Sequence, residues 1–160
     1  MYFCTAMAAS HHIVWITGQP GAGKSTLGKA LMGHWEAQGE RCFMVDGDDL
    51  RGMTANADYT RAGREANIRR AQDIALYLAG QGCFVVVCIV APYRFLREEF
   101  KSRVQICEIY VHTSELRGRE QFHSKDYEPP LEEFIDMDTT GKAPEESLPD
   151  ILVALEHSWA

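Results

Sequence analysis

The sequence lacks both an excess of positive charge and any long apolar run. Its 160 residues contain 16 Lys and Arg against 23 Asp and Glu, which gives a net charge of -7. Nucleic acids and anionic membranes are bound through clustered Lys and Arg, so we expect neither as a partner. No apolar run approaches the ~20 residues that span a bilayer, and the N-terminus lacks the basic start of a signal peptide. Residues 1–10 are therefore predicted to be a loose leader.

The sequence also lacks paired cysteines. Its five cysteines include no Cys-x-x-Cys pair, and four of them lie in or beside apolar runs, where a thiol behaves as a small hydrophobe. This usage is typical of a reducing compartment, so we predict a cytoplasmic protein. The length suits a single well-buried domain over 1–160. The oligomeric state stays open, with a homodimer as one alternative.

Apolar runs of strand length alternate with helical patterns along the chain. This alternation predicts a three-layer α/β fold, with a parallel sheet of about five strands flanked by helices. The segment 83–90 is continuously apolar, as expected of a central strand buried on both faces. The predicted strands are 12–17, 42–46, 83–90, 107–112 and 134–138. The predicted helices are 25–38, 64–79, 93–103 and one after Pro144.

A Gly-rich segment, 18–25, lies between the first predicted strand and the first predicted helix and fits G-x-x-x-x-G-K-[ST]. In this pattern backbone N–H groups surround the phosphates of a nucleotide, the lysine reaches the β- and γ-oxygens, and the hydroxyl takes Mg²⁺. The alternative is a Gly-rich turn without a ligand, but strand, loop, lysine, hydroxyl and helix all agree with nucleotide binding. The predicted nucleotide-binding residues are Gly18, Gly21, Ala22, Gly23, Lys24, Ser25 and Thr26.

Two aspartates, Asp46 and Asp48, end the second predicted strand. The carboxyl ends of strands face the ligand crevice in such a sheet, and alternate residues of an extended segment point the same way. A kinase needs a carboxylate to orient or deprotonate the acceptor hydroxyl. We assign Asp48 as the base beside Lys24, and Asp46 with Ser25 to the Mg²⁺ shell, while the reverse assignment of the aspartates stays open. The alternative is an acidic turn that caps the next helix, which we favour for Asp49.

Arginines cluster in this otherwise acidic chain. Arg64 and Asn67 are spaced i, i+3, so a helix presents a guanidinium and an amide to one ligand. Arg94 follows the central strand, close enough to the crevice to meet a substrate phosphate. Tyr59 either stacks on a base or covers the start of the helix. A solvated surface role is preferred for Arg61, Arg69 and Arg97.

Together these motifs resemble the adenylylsulfate kinase family over roughly residues 12–112. The resemblance implies ATP-dependent phosphorylation, with Mg²⁺, of a nucleotide-like hydroxyl, in the family the 3′-hydroxyl of adenosine 5′-phosphosulfate. It also implies a sheet of nucleoside-monophosphate-kinase type. Arg51, Arg64 and Asn67 would then hold the acceptor, and Tyr59 would stack on its adenine. The matching elements are 18–26, 46–48 with Arg51, Tyr59, Arg64 with 67–70, and 92–94.

The segment 115–130 departs from the family pattern, because it is shorter and lacks the family's Lys-Gly-Leu-Tyr. We predict a mobile lid there, in which Arg117 and Arg119 close over ATP, the alternative being a solvated helix end. His123 is predicted to be a surface residue. The segment 138–144 either borders the ATP base or forms a plain strand-to-helix turn.

Because the lid differs from the family pattern, the sequence does not identify the acceptor. Alternatives to adenosine 5′-phosphosulfate are other nucleotide-linked or phosphorylated acceptors, such as intermediates of surface-polysaccharide or modified-nucleotide synthesis. An alternative from another class is a regulatory switch that hydrolyses ATP slowly.

Overall fold

A computed structural model describes residues 12–159, so the predicted leader at 1–10 lies outside the described residues. Within this range five strands form one sheet in which every neighbouring pair is parallel. The strand order is β2-β3-β1-β4-β5. The predicted parallel sheet of about five strands is confirmed. The strands are β1 Ile13–Thr17, β2 Cys42–Asp46, β3 Phe84–Cys88, β4 Ile106–His112 and β5 Phe134–Asp138.

The helices flank this sheet on both faces. The predicted positions agree with the structure to within a few residues, except that the helix α2 at Gly47–Met53 was not predicted. The third helix begins at Arg61, three residues before the predicted start, because the Thr60 side chain accepts a hydrogen bond from Gly63 N and caps it. The α-helices are α1 Lys24–Ala37, α2 Gly47–Met53, α3 Arg61–Gly80, α4 Arg94–Arg103 and α5 Leu148–Trp159.

Two apolar layers hold the helices on the sheet. On one face α3 and α4 pack through residues such as Ile68 and Phe100, and on the other α1 and α5 pack through residues such as Leu31 and Leu155. All five residues of β1 are buried, and β1 occupies the middle of the sheet. The strand predicted to be central, β3, lies inside the sheet next to β1, as its continuous apolar run requires.

β3 ends at Cys88, two residues before the predicted end. The chain turns shortly after it, since Ala91 has a left-handed φ of 43° and Pro92 follows. This turn directs the chain out of the sheet at its carboxyl edge and into α4. None of the helices within 12–159 combines the length and apolarity needed to cross a bilayer.

Candidate active site

The Gly-rich segment connects β1 to α1 and adopts a conformation that requires glycine. Gly18 has a φ of 151°, and a Cβ there would lie 2.1 Å from Val111 O. Gly23, with a φ of 103°, is the N-cap of α1, and a Cβ there would lie 2.3 Å from Pro144 Cγ. The loop therefore sits at a helix N-terminus in tight contact with the end of β4 and with Pro144, which follows β5. This is the context in which backbone N–H groups bind phosphate.

Lys24 is the first residue of α1, and its Nζ donates a hydrogen bond to Gln19 O over 2.9 Å. Burial lowers the pKa of Lys24 to about 8, while Cys88, Asp48 and Asp46 act in the opposite direction. The protonated, charged form of the Lys24 amine is thus poorly solvated. A phosphate group beside it would stabilise its charge.

Ser25 and Asp46 form a pair of oxygen donors at the start of α1 and the end of β2. Ser25 Oγ donates to Asp46 Oδ2 over 2.6 Å. The other oxygen, Asp46 Oδ1, accepts from Asp48 N at 2.9 Å and from Asp49 N at 3.4 Å. Both oxygens of the carboxylate are therefore held in place. A hydroxyl and a carboxylate are the kind of ligands that Mg²⁺ takes, so this pair fits the predicted metal ion.

The structure corrects the predicted geometry around Asp48. An extended segment over 46–48 was expected, but α2 begins at Gly47, so Asp48 lies in the first helical turn and does not alternate with Asp46. The capping role favoured for Asp49 was also wrong, because Asp46 is the N-cap of α2. The carboxylate of Asp48 accepts no hydrogen bond from residues 12–159, and Asp46 and Asp48 both line the same cavity.

That cavity has a volume of about 1400 Å³ and collects most of the predicted site. The loop lines it together with both aspartates, the predicted acceptor residues and the predicted lid arginines. Gly18, Ala22 and Arg94 are predicted site residues that do not line it. The predicted residues in its wall are Gly21, Gly23, Lys24, Ser25, Thr26, Asp46, Asp48, Arg51, Tyr59, Arg64, Asn67, Arg117 and Arg119.

The predicted acceptor residues are held by local contacts. Arg51 Nη1 donates to Asp58 O over 2.8 Å, and the guanidinium lies 4.1 Å from the centre of the Tyr59 ring. Arg64 Nε donates to Tyr59 O over 2.9 Å. Asn67 Nδ2 donates to Gly47 O over 3.2 Å, whereas Asn67 Oδ1 is buried without a hydrogen-bond partner among the described residues. The residue itself lines the cavity.

Arg94 and Arg97 differ from what the sequence predicted. Arg94 lies outside the cavity wall, since its Nε donates to Pro129 O and its backbone N donates to the Glu128 carboxylate. The prediction that Arg97 is solvated was wrong, because its side chain is 0% exposed. Arg97 Nε donates to Glu108 Oε1 over 2.7 Å, and its Nη atoms donate to the carbonyls of Ala91 and Glu128.

The segment 115–130, which we call the lid segment, lies against the Gly-rich loop. Arg117 Nη2 donates to Thr139 O over 2.8 Å, and Arg117 Nη1 lies 3.4 Å from the carbonyls of Gly21 and Ala22. Arg119 lies 5.2 Å from the ring centre of Phe122, and both line the cavity. The mobility of this segment stays a prediction.

His123 is exposed, as predicted, yet its Nε2 lies 3.2 Å from Pro20 O in the Gly-rich loop. The surface assignment therefore missed a contact with the site. The segment 138–144 also reaches the loop: Thr139 Oγ1 donates to Ala22 O over 3.1 Å, and Pro144 lines the cavity.

Other residues of the site were missed altogether. The Gln19 side chain and the Ser124 backbone are joined by two hydrogen bonds, and Tyr127 OH lies 2.8 Å from Thr17 Oγ1. Gln19 occupies a position that the loop pattern leaves unspecified, and Ser124 lies in the part that departs from the family. Neither position carries a local sequence signal.

The loop, the Ser25–Asp46 pair and the flanked parallel sheet define a P-loop nucleotide-binding protein of kinase type. A family model described as adenylylsulphate kinase matches residues 10–151. The chain belongs to the adenylylsulphate kinase family, as the sequence motifs predicted.

Individual relatives agree with this assignment. The adenylyl-sulfate kinase of Burkholderia ambifaria is 37% identical over 92 residues, which are 57% of this chain and 51% of that protein. The chain thus spans about half the length of this curated relative. A hexameric APS kinase from Thiobacillus denitrificans is 28% identical, with a TM-score of 0.71 over 93% of this chain and 30% of that chain.

A Mycobacterium tuberculosis structure, the APS kinase CysC in complex with AMPPNP and APS, has a TM-score of 0.79. Its identity is 23%, and the match covers 92% of this chain and 98% of that chain. At this identity the match is a likeness of fold.

Proposed function

We propose that this protein is an ATP-dependent kinase that transfers the γ-phosphate to a hydroxyl of a nucleotide-like acceptor. The observation that carries the proposal is the shared cavity, in which the phosphate-binding loop and the Ser25–Asp46 pair meet Arg51, Arg64 and Asn67. Family membership and the activity named for the Burkholderia relative favour the 3′-hydroxyl of adenosine 5′-phosphosulfate as the acceptor site.

The loop, Lys24, Arg117 and Arg119 would bind the phosphates of ATP. Ser25 and Asp46 would hold Mg²⁺, which neutralises charge on the phosphates when it is bound. Arg117 is already fixed beside the loop by its bond to Thr139 O. Its guanidinium also pairs with Glu115 Oε2 at 2.7 Å, so on ATP binding it would exchange that carboxylate for phosphate oxygens.

Asp48 is the better candidate for the base. The oxygens of Asp46 are engaged by Ser25 and by two backbone N–H groups, whereas the Asp48 carboxylate accepts no hydrogen bond from the described residues. In the proposed reaction Asp48 takes the proton of the acceptor hydroxyl. The hydroxyl oxygen bonds to the γ-phosphorus as the bond to ADP breaks, so ADP leaves with the electron pair.

The acceptor would be held by cationic and amide groups. Arg51 and Arg64 suit the anionic groups of a nucleotide. Asn67 Oδ1, which is buried and unpaired, would accept a hydrogen bond from the ligand. Tyr59 is 62% exposed beside Arg51, which leaves its ring available to stack on a base.

The proposal includes the cellular compartment and the oligomeric state of the protein. Cys42, Cys83, Cys88 and Cys107 are free thiols, which supports a reducing cytoplasm. We also expect self-association, with a homodimer as the smallest assembly, since the Thiobacillus relative is described as hexameric.

A coupled ADP-release assay tests the proposal. The purified protein receives ATP and Mg²⁺ with adenosine 5′-phosphosulfate or with other nucleotides, and the product mass locates the new phosphate. We expect ADP release that depends on an acceptor, no activity in Lys24→Ala, and a loss of about 10²-fold or more in Asp48→Asn. Asp49→Asn, one residue along α2, is the matched control and should retain activity.

Each outcome is informative. Turnover with another nucleotide but not with adenosine 5′-phosphosulfate would keep the kinase and change its acceptor. ADP release indifferent to every nucleotide would contradict the kinase and favour a switch. Substantial turnover in Asp48→Asn would remove that residue as the base.

A further inference from the structure

The lid segment is attached to the Gly-rich loop through one buried serine. Ser124 is 3% exposed. Gln19 Nε2 donates to Ser124 O over 2.9 Å, and Ser124 N donates back to Gln19 Oε1 over 2.9 Å. The two bonds are reciprocal, so the amide of Gln19 satisfies both backbone polar groups of Ser124. Ser124 O also accepts from Tyr127 N over 3.3 Å, so without Gln19 it is Ser124 N that would be buried with no acceptor among the described residues, which is costly.

The side chain of Ser124 also connects the lid segment to α3. Ser124 Oγ accepts a hydrogen bond from Arg64 Nη1 and donates one to Asp126 Oδ1 over 2.6 Å. The bond from Ser124 lowers the pKa of Asp126 below its usual range, so this carboxyl stays ionised beside Arg64. Arg64 Nη2 donates no hydrogen bond to residues 12–159 and remains available for a ligand.

We propose that Gln19 is a positioning residue, which holds the lid segment on the phosphate-binding loop and thereby fixes Arg64 for the acceptor. The inference rests on the proposed function, because it assigns Arg64 to the acceptor. A free arginine side chain loses considerable rotamer entropy when it binds a ligand. Ser124 restrains that side chain beforehand, and pre-organised groups bind more tightly.

Two variants separate the links of this chain of contacts. Gln19→Met keeps the unbranched shape but removes both bonds to Ser124. Ser124→Ala leaves those backbone bonds in place and removes the side-chain links to Arg64 and to Asp126. Gln38→Met is the matched control, since Gln38 is exposed at the C-cap of α1 and its side chain hydrogen-bonds only His34 among the described residues.

The first measurement is amide hydrogen exchange in the lid segment, with the full chain saturated by AMPPNP. It depends on nucleotide binding and on no catalytic turnover. We expect exchange to be about tenfold faster in Gln19→Met, the order that two ordinary hydrogen bonds support. Gln38→Met should match the unmodified protein. Unchanged exchange in Gln19→Met would overturn the proposal.

The second measurement is steady-state kinetics with adenosine 5′-phosphosulfate. In the proposed role Arg64 binds the acceptor equally in the ground state and in the transition state. The KM for adenosine 5′-phosphosulfate should therefore rise about tenfold in Gln19→Met and in Ser124→Ala, with kcat nearly retained. The double variant should lie within about twofold of Gln19→Met, since both changes cut one chain of contacts. Independent, multiplying effects would overturn the coupling to Arg64.

The two proposals fail in different ways. If the unmodified protein phosphorylates no nucleotide, the proposed function fails, and the exchange measurement still decides whether Gln19 holds the lid segment. If the protein is active but Gln19→Met is normal in both measurements, the proposed function stands and the role of Gln19 is refuted.

Discussion

Replacing Arg97 with methionine should destabilise the protein strongly. Arg97 and Glu108 form an ion pair at 2.7 Å in which both side chains are 0% exposed. Arg97 also serves as donor to the carbonyls of Ala91 and Glu128. Lys101 Nζ lies 2.7 Å from Glu108 Oε2, as an ion pair without hydrogen-bond geometry. Arg97→Met would leave a buried carboxylate with Lys101 alone and two carbonyls without their donor.

The size of the effect follows from this environment. Removing one partner of a buried ion pair costs about 3–5 kcal/mol, mainly because the other charge stays buried. Lys101 still compensates Glu108, so we expect the free energy of unfolding to fall by about 3–4 kcal/mol. For a chain of this size that corresponds to a decrease in Tm of roughly 6–16 °C.

Urea unfolding followed by circular dichroism measures this loss. Arg103→Met is the control, since Arg103 is exposed at the end of the same helix and should change stability little. Arg97→Lys should also be destabilised, because an ammonium cannot reproduce the three-way guanidinium contact. A loss below about 1 kcal/mol in Arg97→Met, as for an exposed pair, would refute the reasoning.

Two further predictions concern the loop. Gly23→Ala should abolish ATP binding measured by calorimetry, because the new Cβ would meet Pro144 at 2.3 Å, whereas Gly33→Ala, with nothing within 4 Å, should bind normally. The pKa of Lys24 lies near 8, below its ordinary 10.5, so the ammonium is present below pH 8 and lost above it. ATP affinity should therefore fall as pH rises from 7 to 9, and equal affinities at the two pH values would contradict the assignment.

The sequence could predict the fold because its strands are buried and local. β1 and β3 are apolar runs flanked by turn residues, and such runs carry the strand signal within themselves. The sequence did not predict α2 because its first turn is acidic and contains a glycine. The helix forms through the N-cap that Asp46 provides. A pattern of seven residues is too short to show helical periodicity.

The site likewise contains residues that the sequence could predict and residues that it could not. Lys24, Ser25 and Asp46 were predictable because motif spacing and strand ends bring them together without reference to the rest of the chain. The pairing of Gln19 with Ser124 spans 105 positions, and the burial of Arg97 depends on Glu108 from a neighbouring strand. Such contacts are set by tertiary packing, which a single sequence does not reveal.

In the proposed function, the strand order separates the residues assigned to the acceptor from those assigned to ATP. β1 is in the middle of the sheet, with β2 and β3 on one side and β4 and β5 on the other. Asp48, Arg51, Arg64 and Asn67 all come from the β2–β3 side, whereas Arg117 and Thr139 come from the β4–β5 side.

In the proposed function, substitutions at Arg51, Arg64 or Asn67 would alter specificity for the acceptor without touching the residues assigned to ATP. Residues 124–129 are the exception, because they belong to the β4–β5 connection yet cross over β1 to meet Arg64, Arg94 and Arg97. A substitution in that crossing stretch is expected to disturb both substrates at once, so it is where the evolution of a new specificity would be most constrained.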